Sequence, residues 1–391
     1  MPIINRIAEF HADMTEWRRR IHANPETAFE EVKTAAFVAE TLEGFGIEVH
    51  RGLARTGVVG TLKGAKGDGP AIGLRADMDA LNMAEKNAHA WRSQVPGKMH
   101  ACGHDGHTTM LLGAARYLAE TRNFAGTVHF IFQPAEENEG GGRVMVEEGL
   151  FDRFPCETVW GMHNFPGQDA GTFAVCRGPA MAAADRFDIR IRGKGGHAAA
   201  PHLATDTILA GSQLVAALQT IASRSIDPVE SVVVTVTQFH AGDAYNIIPE
   251  DAVLRGTIRS FTPAVQDAAE AALRRIAAGV AQAAGLEIAI DYARGYPPTV
   301  NDAAESDFAA EIAAEIVGGE NVIQDPDPKM GAEDFSFMLQ QKPGCYIWIG
   351  NGPGVGGCWL HNPQYDFNDE ILPLGATYWA RLAETRLAPK P

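Results

Sequence analysis

Side chains that suit a metal ion are divided between the first half of this chain and its last segment. A fold that unites them must therefore bring distant parts of the sequence together. Cys102 and His104 lie in the stretch 99–107, which also carries His107, and two further imidazoles follow at His163 and His361. A thiolate and imidazole nitrogens are donors for zinc, manganese, nickel or cobalt. The set predicts one metal site built from several separate segments.

Two adjacent carboxylates strengthen this prediction. Glu136 and Glu137 follow an apolar run and a proline. Adjacent residues of an extended segment point in different directions, so one can bind metal while the other transfers protons. Taken alone, the pair is typical of a solvated acidic loop, and Glu139 nearby favours that alternative. Beside the candidate ligands, the pair predicts a metal-dependent hydrolase, with one or two ions per chain.

The first half of the chain alternates short apolar strands with helices. The pattern predicts strands at 58–62, 71–75 and 127–132 and helices at 16–22, 34–42 and 109–118. This order favours an α/β fold, a mixed sheet covered by helices. Asp77 and Asp79 follow the second of these strands, and the glutamate pair follows the third. Sites in such sheets lie beyond the carboxyl ends of the strands, where these side chains are placed.

Residues 185–295 predict a separate α+β unit. Its strands and helices follow the order β-α-β-β-α-β, which is typical of a ferredoxin-like fold, at 187–192, 205–223, 232–239, 252–261, 264–284 and 286–292. The last segment returns to α/β character and ends with a helix at 374–382. Because His361 lies after this unit and its expected partners lie before it, the unit must be an insertion. The predicted domains are a discontinuous catalytic domain, 1–184 with 296–391, and the inserted domain, 185–295.

The composition restricts the partners that the protein can bind. With 33 Lys and Arg against 49 Asp and Glu, the formal net charge of −16 argues against nucleic acid or an anionic membrane surface. Five cysteines, an odd and sparse number, do not indicate a disulfide framework. No window offers about 18 uninterrupted apolar residues, and the N-terminus lacks the features of a signal peptide. We therefore expect a cytoplasmic protein.

Seven motifs occur in a fixed order along the chain: RIHANPE at 20–26, GLRADMD at 73–79, MHACGHDGH at 99–107, QPAEE at 133–137, GGH at 195–197, NIIP at 246–249 and GAEDF at 331–335. In this combination the chain resembles the bacterial hippurate hydrolase and N-acyl-amino-acid amidohydrolase family, which also contains plant indole-acetyl-amino-acid hydrolases. The resemblance extends from about residue 15 to about residue 385. It implies a metal-dependent enzyme that hydrolyses the amide bond of N-acyl amino acids.

The resemblance also implies a role for each candidate residue of the catalytic domain. In that family the first glutamate of the pair is the general base, here Glu136, and the second binds metal, here Glu137. The other matching metal ligands are Cys102, His104, His163 and His361. Asp77 and Asp79 match the place where related carboxypeptidases use a histidine ligand and an orienting aspartate. Asp77 departs from that pattern, so it either binds metal or supports the site as a loop carboxylate.

In the same family the inserted unit is a lid and dimerisation domain. The resemblance implies that His197, which lies on a glycine turn, stabilises the oxyanion. In relatives the matching histidine reaches the active site of the neighbouring subunit. Asn246 and Arg259 match positions that hold the substrate carboxylate, for which an arginine fork is well suited. Arg259 is equally typical of a surface ion pair on an alternating strand. We expect a homodimer formed through this domain.

Three functions account for these features to different extents. An amidohydrolase acting on N-acyl amino acids accounts for all of them, with benzoyl, acetyl and indole-acetyl groups equally open. A dipeptidase or carboxypeptidase of the same superfamily is the alternative, although a free α-amine would require a carboxylate partner that the sequence does not identify. A non-catalytic metal carrier explains the ligands but not Glu136, the arginine or the lid histidine.

Overall fold

The polypeptide folds into two units, and the computed structural model describes residues 3–137, 139–354 and 357–389. The first unit comprises Met1–Gly178, Val300–Asp327 and Asp334–Pro391, and the second comprises Pro179–Thr299 and Pro328–Glu333. The second unit thus extends beyond the predicted insertion at both ends. Backbone hydrogen bonds account for its separate short segment. Lys329 donates to the Ala180 carbonyl at 2.9 Å, and Ala182 donates to the Lys329 carbonyl at 3.0 Å.

The first unit is built on an eight-stranded mixed sheet, as the sequence predicts. Its strands are β1 (Glu48–Leu53), β2 (Gly57–Lys63), β3 (Ala71–Asp77), β4 (Thr127–Gln133), β5 (Thr158–Phe165), β6 (Phe173–Val175), β15 (Val322–Gln324) and β16 (Gly344–Gly350). They lie in the order β1-β2-β4-β3-β5-β16-β6-β15. Four neighbouring strands, β4, β3, β5 and β16, are parallel to one another. Their carboxyl ends meet at one edge, where the candidate ligands follow β3 and β4.

Helix α4 is the central helix of this unit. The helices are α1 (Asn5–Ala8), α2 (His11–Ala23), α3 (Val32–Gly44), α4 (His104–Thr121), α5 (Gly141–Glu147), α6 (Leu150–Arg153), α9 (Ala303–Val317), α10 (Ser336–Leu339) and α11 (Leu372–Arg386). α4 packs against α2 and α11 and is buried along most of its length. It begins five residues before the predicted start at 109, because polar residues open a helix whose apolar face begins later. His104 and His107 therefore occupy its first turn.

The second unit contains a four-stranded antiparallel sheet with two long helices. Its elements are β8 (Ala183–Arg192), β9 (Gly196–His197), α7 (Thr207–Leu218), β10 (Val232–Ala241), β11 (Ile247–Ile248), β12 (Asp251–Ser260), α8 (Pro263–Ala284) and β13 (Glu287–Tyr296). The order across the sheet is β10-β12-β8-β13. Two short strands, β7 (Gly178–Met181) and β14 (Thr299–Asn301), lie where the chain passes between the units. Alternate side chains of β8 enter the core of the second unit, as the predicted period of two requires.

Asp185 joins three elements of the second unit. Its buried carboxylate accepts hydrogen bonds from Gln266 Nε2 of α8 at 2.8 Å and from the Tyr292 hydroxyl of β13 at 2.6 Å. Thr262 caps the start of α8, because its hydroxyl accepts a hydrogen bond from the Val265 N–H at 3.3 Å, and the helix has a proline in its first turn. These are signals that start a helix.

Among the described residues, no helix is both long enough and apolar enough to cross a membrane.

Gly256 provides a test of packing in the second unit. It lies in β12, where a Cβ atom would stand 2.2 Å from the Thr235 carbonyl oxygen and 2.3 Å from the Phe187 ring. We expect Gly256→Ala to lower the free energy of unfolding by about 1–3 kcal/mol, as overpacking does. Gly279→Ala is the matched control, because Gly279 lies in α8 with nothing within 4 Å of its Cβ position. The control should be stabilised by up to about 1 kcal/mol through helix propensity.

Denaturant unfolding of both variants beside the wild type measures these changes. If Gly256→Ala unfolds at the wild-type midpoint or above it, the described packing of β12 is wrong.

Candidate metal centre

Three of the predicted ligands meet near the end of β5 and the start of α4. Cys102 Sγ lies 3.3 Å from His163 Nε2. Ligand atoms of Cys102, His104 and His163 all lie within 4.8 Å of one another, and the three residues are buried. Gly103 has a φ of +101°, which glycine adopts readily, and its turn allows both neighbouring side chains to reach one point.

The glutamate pair and His361 lie in the same place. Glu137 Oε1 is 3.0 Å from His361 Nε2. The His361 backbone N–H donates to the Ala101 carbonyl at 2.8 Å, which fixes the position of a side chain that is otherwise half-exposed. Two further close sets of ligand atoms result, Cys102 with Glu137 and His361, and His104 with Glu136 and Glu137. The structure thus brings together all six residues that the sequence proposed as metal ligands or base.

Asp79 holds the glutamate loop against the end of β3. Its Oδ1 accepts the backbone N–H of Glu136 at 3.0 Å, and its Oδ2 accepts that of Glu137 at 2.9 Å. Oδ1 also lies 3.2 Å from His104 Nδ1. This contact orients the imidazole so that Nε2 is the nitrogen available to a metal, the usual arrangement of a carboxylate behind a histidine ligand.

Asp77 contacts an imidazole to which the sequence assigned no role. The backbone N–H of Asn164 donates to His107 Nε2 at 3.0 Å. His107 Nε2 also lies 2.8 Å from Asn164 Oδ1, and its Nδ1 lies 2.7 Å from Asp77 Oδ1. Asp77 Oδ2 lies 3.8 Å from His104 Nε2, and Asp77, His104 and His107 form another set of close ligand atoms. The geometry is compatible with Asp77 either as a support or as a ligand.

A buried network behind Asp77 escaped the sequence analysis. Arg75 donates to Asp77 Oδ2 at 2.9 Å and to Asp334 Oδ1 at 3.0 Å, and all three side chains are fully buried. Gln133 Nε2 donates to Asp334 at 2.7 Å. The Asp334 backbone N–H donates to Glu136 Oε1 at 3.4 Å. The one available signal was an arginine inside an apolar strand, since an isolated charge there requires a buried partner.

Two buried atoms at this centre match the expectation for metal ligands. His104 Nε2 and Glu137 Oε1 have no hydrogen-bond partner among the described residues. Leaving such polar atoms buried and unpaired costs about 1–3 kcal/mol each. A divalent ion would satisfy both atoms, and a mixture of thiolate, imidazole and carboxylate donors suits a borderline transition metal.

Burial and neighbouring charges set the protonation of the ligands. Burial disfavours the imidazolium of His104, but the charges of Asp77 and Asp79 outweigh burial and raise the pKa of His104 to about 10. Burial and nearby glutamates raise the pKa of the Cys102 thiol. Burial, with a neighbouring imidazole charge, lowers the pKa of His163. Metals bind thiolate and neutral imidazole, so binding at Cys102 and His104 would release protons.

The remaining predicted residues belong to the second unit. His197 lies in β9, which pairs with β11, and the Ala198 N–H donates to the Asn246 carbonyl at 3.0 Å. The His197 side chain is exposed at a cavity of about 430 Å³ that is lined by Gly195, Gly196, His197 and residues 246–250. Arg259 lies half-buried in β12, where burial lowers its pKa. Within the described part of the chain Arg259 forms no ion pair, so the surface ion pair that the sequence allowed is not observed.

Comparisons with known proteins agree over nearly the whole chain. The sequence profile of peptidase family M20/M25/M40 matches residues 73–385. The hippurate hydrolase of Campylobacter jejuni is 42% identical over 98% of this chain and 99% of its own length. Thermostable carboxypeptidase 2 of Saccharolobus solfataricus is 38% identical over 98% of both chains. The crystal structure of the Bacillus subtilis YXEP protein, described as a dinuclear metal binding peptidase, superposes with a TM-score of 0.85 at 35% identity, covering 97% of this chain and 99% of that one.

Gly103 tests whether the turn between two candidate ligands is required. A Cβ atom there would stand 2.1 Å from Asn164 Oδ1, and the φ is positive. We expect Gly103→Ala to lower the bound metal per chain and to destabilise the fold by more than about 1 kcal/mol, because strain and overlap add. Gly97→Ala is the matched control, since Gly97 has a φ of +77° but nothing within 4 Å of its Cβ position.

Elemental analysis after dialysis and denaturant unfolding measure both effects. If the two variants retain equal metal, the tight turn is not what positions Cys102 and His104.

Proposed function

This chain belongs to peptidase family M20/M25/M40, and we propose that it hydrolyses N-acyl amino acids to a carboxylic acid and a free amino acid. The observation that carries the proposal is the meeting of five candidate metal-ligand side chains with Glu136, a second carboxylate. The similarity to a hippurate hydrolase over nearly the full length of both chains supports this substrate class. The acyl group, whether benzoyl, acetyl or indole-acetyl, stays open.

The proposed ligands are Cys102, His104, Glu137, His163 and His361, with Asp77 and Asp79 in support. They would hold one or two ions of zinc, manganese, nickel or cobalt, and the relative described as dinuclear favours two. Such an ion supplies Lewis acidity, which polarises an amide carbonyl and lowers the pKa of water from 15.7 to about 7.

Glu136 is the proposed general base and acid. Its backbone is held by Asp79, and its Oε1 accepts the Asp334 N–H, so the carboxylate has a defined position. It accepts a proton from the attacking water and returns that proton to the departing nitrogen of the amino acid. General acid–base catalysis of this kind contributes about 10²–10⁴-fold in rate.

We propose that the second unit is a ferredoxin-like lid that completes the site. The β-α-β-β-α-β order and antiparallel sheet support the fold. His197 would stabilise the oxyanion, a contribution of about 10²–10³-fold for one donor. Asn246 and Arg259 would hold the substrate carboxylate, which Arg259 can do because no described carboxylate occupies its guanidinium. The domains would be 1–184 with 296–391, and 185–295.

A carboxypeptidase or dipeptidase is the second candidate, favoured by the carboxypeptidase relative. Matched substrates separate the two functions, for example benzoyl-glycine and glycyl-glycine assayed with the metal-reconstituted protein. The proposal predicts hydrolysis of the acylated substrate and little of the free dipeptide. Preferential hydrolysis of the dipeptide would establish the alternative.

The five cysteines are all free, which is consistent with the expected cytoplasmic location.

The adjacent glutamates should respond differently to the same substitution. We expect Glu136→Gln to retain metal and lose about 10²–10⁴-fold in turnover, because an amide cannot accept the proton of water. Glu137→Gln should lower metal affinity, because a neutral amide is a poorer ligand than a carboxylate. Each variant is the other's control. Metal content and turnover on one sample decide the matter, and the reverse pattern would exchange the two roles.

Subunit mixing tests the proposed homodimer and the place where His197 acts. Glu136→Gln and His197→Ala are each expected to be nearly inactive. If the histidine acts across a dimer formed by the second units, their heterodimer contains one complete site, and about half of the wild-type activity should return. A heterodimer verified by mass that stays inactive would contradict catalysis across the interface. A chain that sediments as a monomer would also contradict the dimer.

A further inference from the structure

A second group of metal-binding side chains lies in the first unit, separate from the Cys102 centre. It combines His22 of α2 with Glu85, His89 and Asp366 from loops. Glu85 Oε1 lies 3.3 Å from His22 Nε2 and 3.2 Å from His89 Nε2, and Asp366 Oδ2 lies 3.9 Å from His89 Nε2. Ligand atoms of His22, His89 and Asp366 are all within 4.8 Å of one another. Donors around one zinc ion at about 2.0–2.2 Å must be separated by distances of this order.

The short contact between His89 and Glu85 is not a hydrogen bond. Both ring nitrogens of His89 are buried and have no hydrogen-bond partner among the described residues. The same signature marks the Cys102 centre, where Glu137 Oε1 lies 3.0 Å from His361 Nε2 and yet has no hydrogen-bond partner in the described part of the chain. Ligand atoms that point to a shared ion approach one another without pointing at one another. In the second group His89 has this property, whereas His22 Nε2 is hydrogen-bonded to Glu85 Oε1 at 3.3 Å.

Each side chain of the second group is oriented from behind by another residue. Asp105 Oδ2 accepts from His22 Nδ1 at 2.8 Å, which leaves Nε2 toward the group. This is the carboxylate–histidine arrangement that metal sites use to fix a ring. The other three side chains are also held in place. The Ser93 N–H donates to Glu85 Oε2, and Arg18 donates to Asp366 Oδ1. The ring of His89 stacks on Trp91.

The charged side chains around the group include more carboxylates than cations. Arg18 and Arg19 are the cations of this network. Its carboxylates are those of Glu85, Asp105, Asp366 and Asp369. Two cations against four anions leave a net formal charge of −2 when both imidazoles are neutral. An excess of carboxylates in a largely buried group favours the binding of a divalent cation.

We propose that His22, Glu85, His89 and Asp366 form a second metal site that takes a borderline divalent ion such as Zn²⁺. The donors are two imidazoles and two carboxylates without a thiolate, a set that suits zinc, manganese or cobalt. The ion joins α2, the loop that carries Glu85 and His89, and the segment before α11. Its role is structural, because each ligand approaches from the protein and binding to the folded chain stabilises it.

Anomalous diffraction tests the proposal directly and needs no substitution. The intact protein is crystallised at pH 8 after equilibration with Zn²⁺ and dialysis. The expected result is a zinc-edge peak within about 2.0–2.2 Å of His22 Nε2 and His89 Nε2, in addition to density at the Cys102 centre. Zinc at the Cys102 centre with none at His22 would overturn the proposal.

Metal counting in solution gives an independent result. His89→Gln should retain one zinc ion fewer per chain than the wild type, whereas His240→Gln, an exposed histidine of β10, should retain the wild-type number. Excess Zn²⁺ should raise the Tm of the wild type and of His240→Gln more than that of His89→Gln. Equal metal content in all three proteins would contradict a metal site at His89. Neither outcome depends on which substrate the Cys102 centre hydrolyses.

Discussion

The carboxylate of Asp79 is the interaction on which the candidate centre depends. It accepts the backbone N–H groups of Glu136 and Glu137 at 3.0 and 2.9 Å and lies 3.2 Å from His104 Nδ1. One side chain two residues after β3 therefore fixes the loop after β4 and a ring at the start of α4. A carboxylate is suited to this task because it accepts several hydrogen bonds at once and offers no competing donor.

The buried charges around Asp79 stabilise one another in pairs. Arg75 lies between Asp77 and Asp334, and Asp77 Oδ1 in turn lies 2.7 Å from His107 Nδ1. Desolvating any one of these groups alone would be costly, whereas the paired and hydrogen-bonded set is tolerated. The candidate metal ligands thus lie against a layer of paired polar side chains. This arrangement is required where reacting groups must keep a productive geometry.

The sequence identified candidate ligands that the structure brings together, but not the residues that support them. Cys102, His104 and the glutamate pair have short spacings that local geometry can interpret, and the order of strands and helices follows from hydrophobic periodicity. Arg75, Gln133 and Asp334 were missed because their pairing joins residues far apart in the chain, which no local pattern reveals. The start of α4 was also missed, since its first turn is polar and carries functional groups. Local sequence patterns predict structure poorly where residues are placed for a functional site.

The measurement that tests this account most directly is the metal content and turnover of Asp79→Asn on one sample. The amide oxygen of the variant can accept one of the two backbone N–H groups, those of Glu136 and Glu137, that Asp79 accepts. Its NH₂ group would face the other N–H, and two donors cannot form a hydrogen bond. We expect the variant to fold, with the wild-type circular dichroism spectrum, and to lose both metal affinity and hydrolysis of acylated amino acids. Wild-type metal content and turnover in Asp79→Asn would contradict the claim that this carboxylate organises the centre.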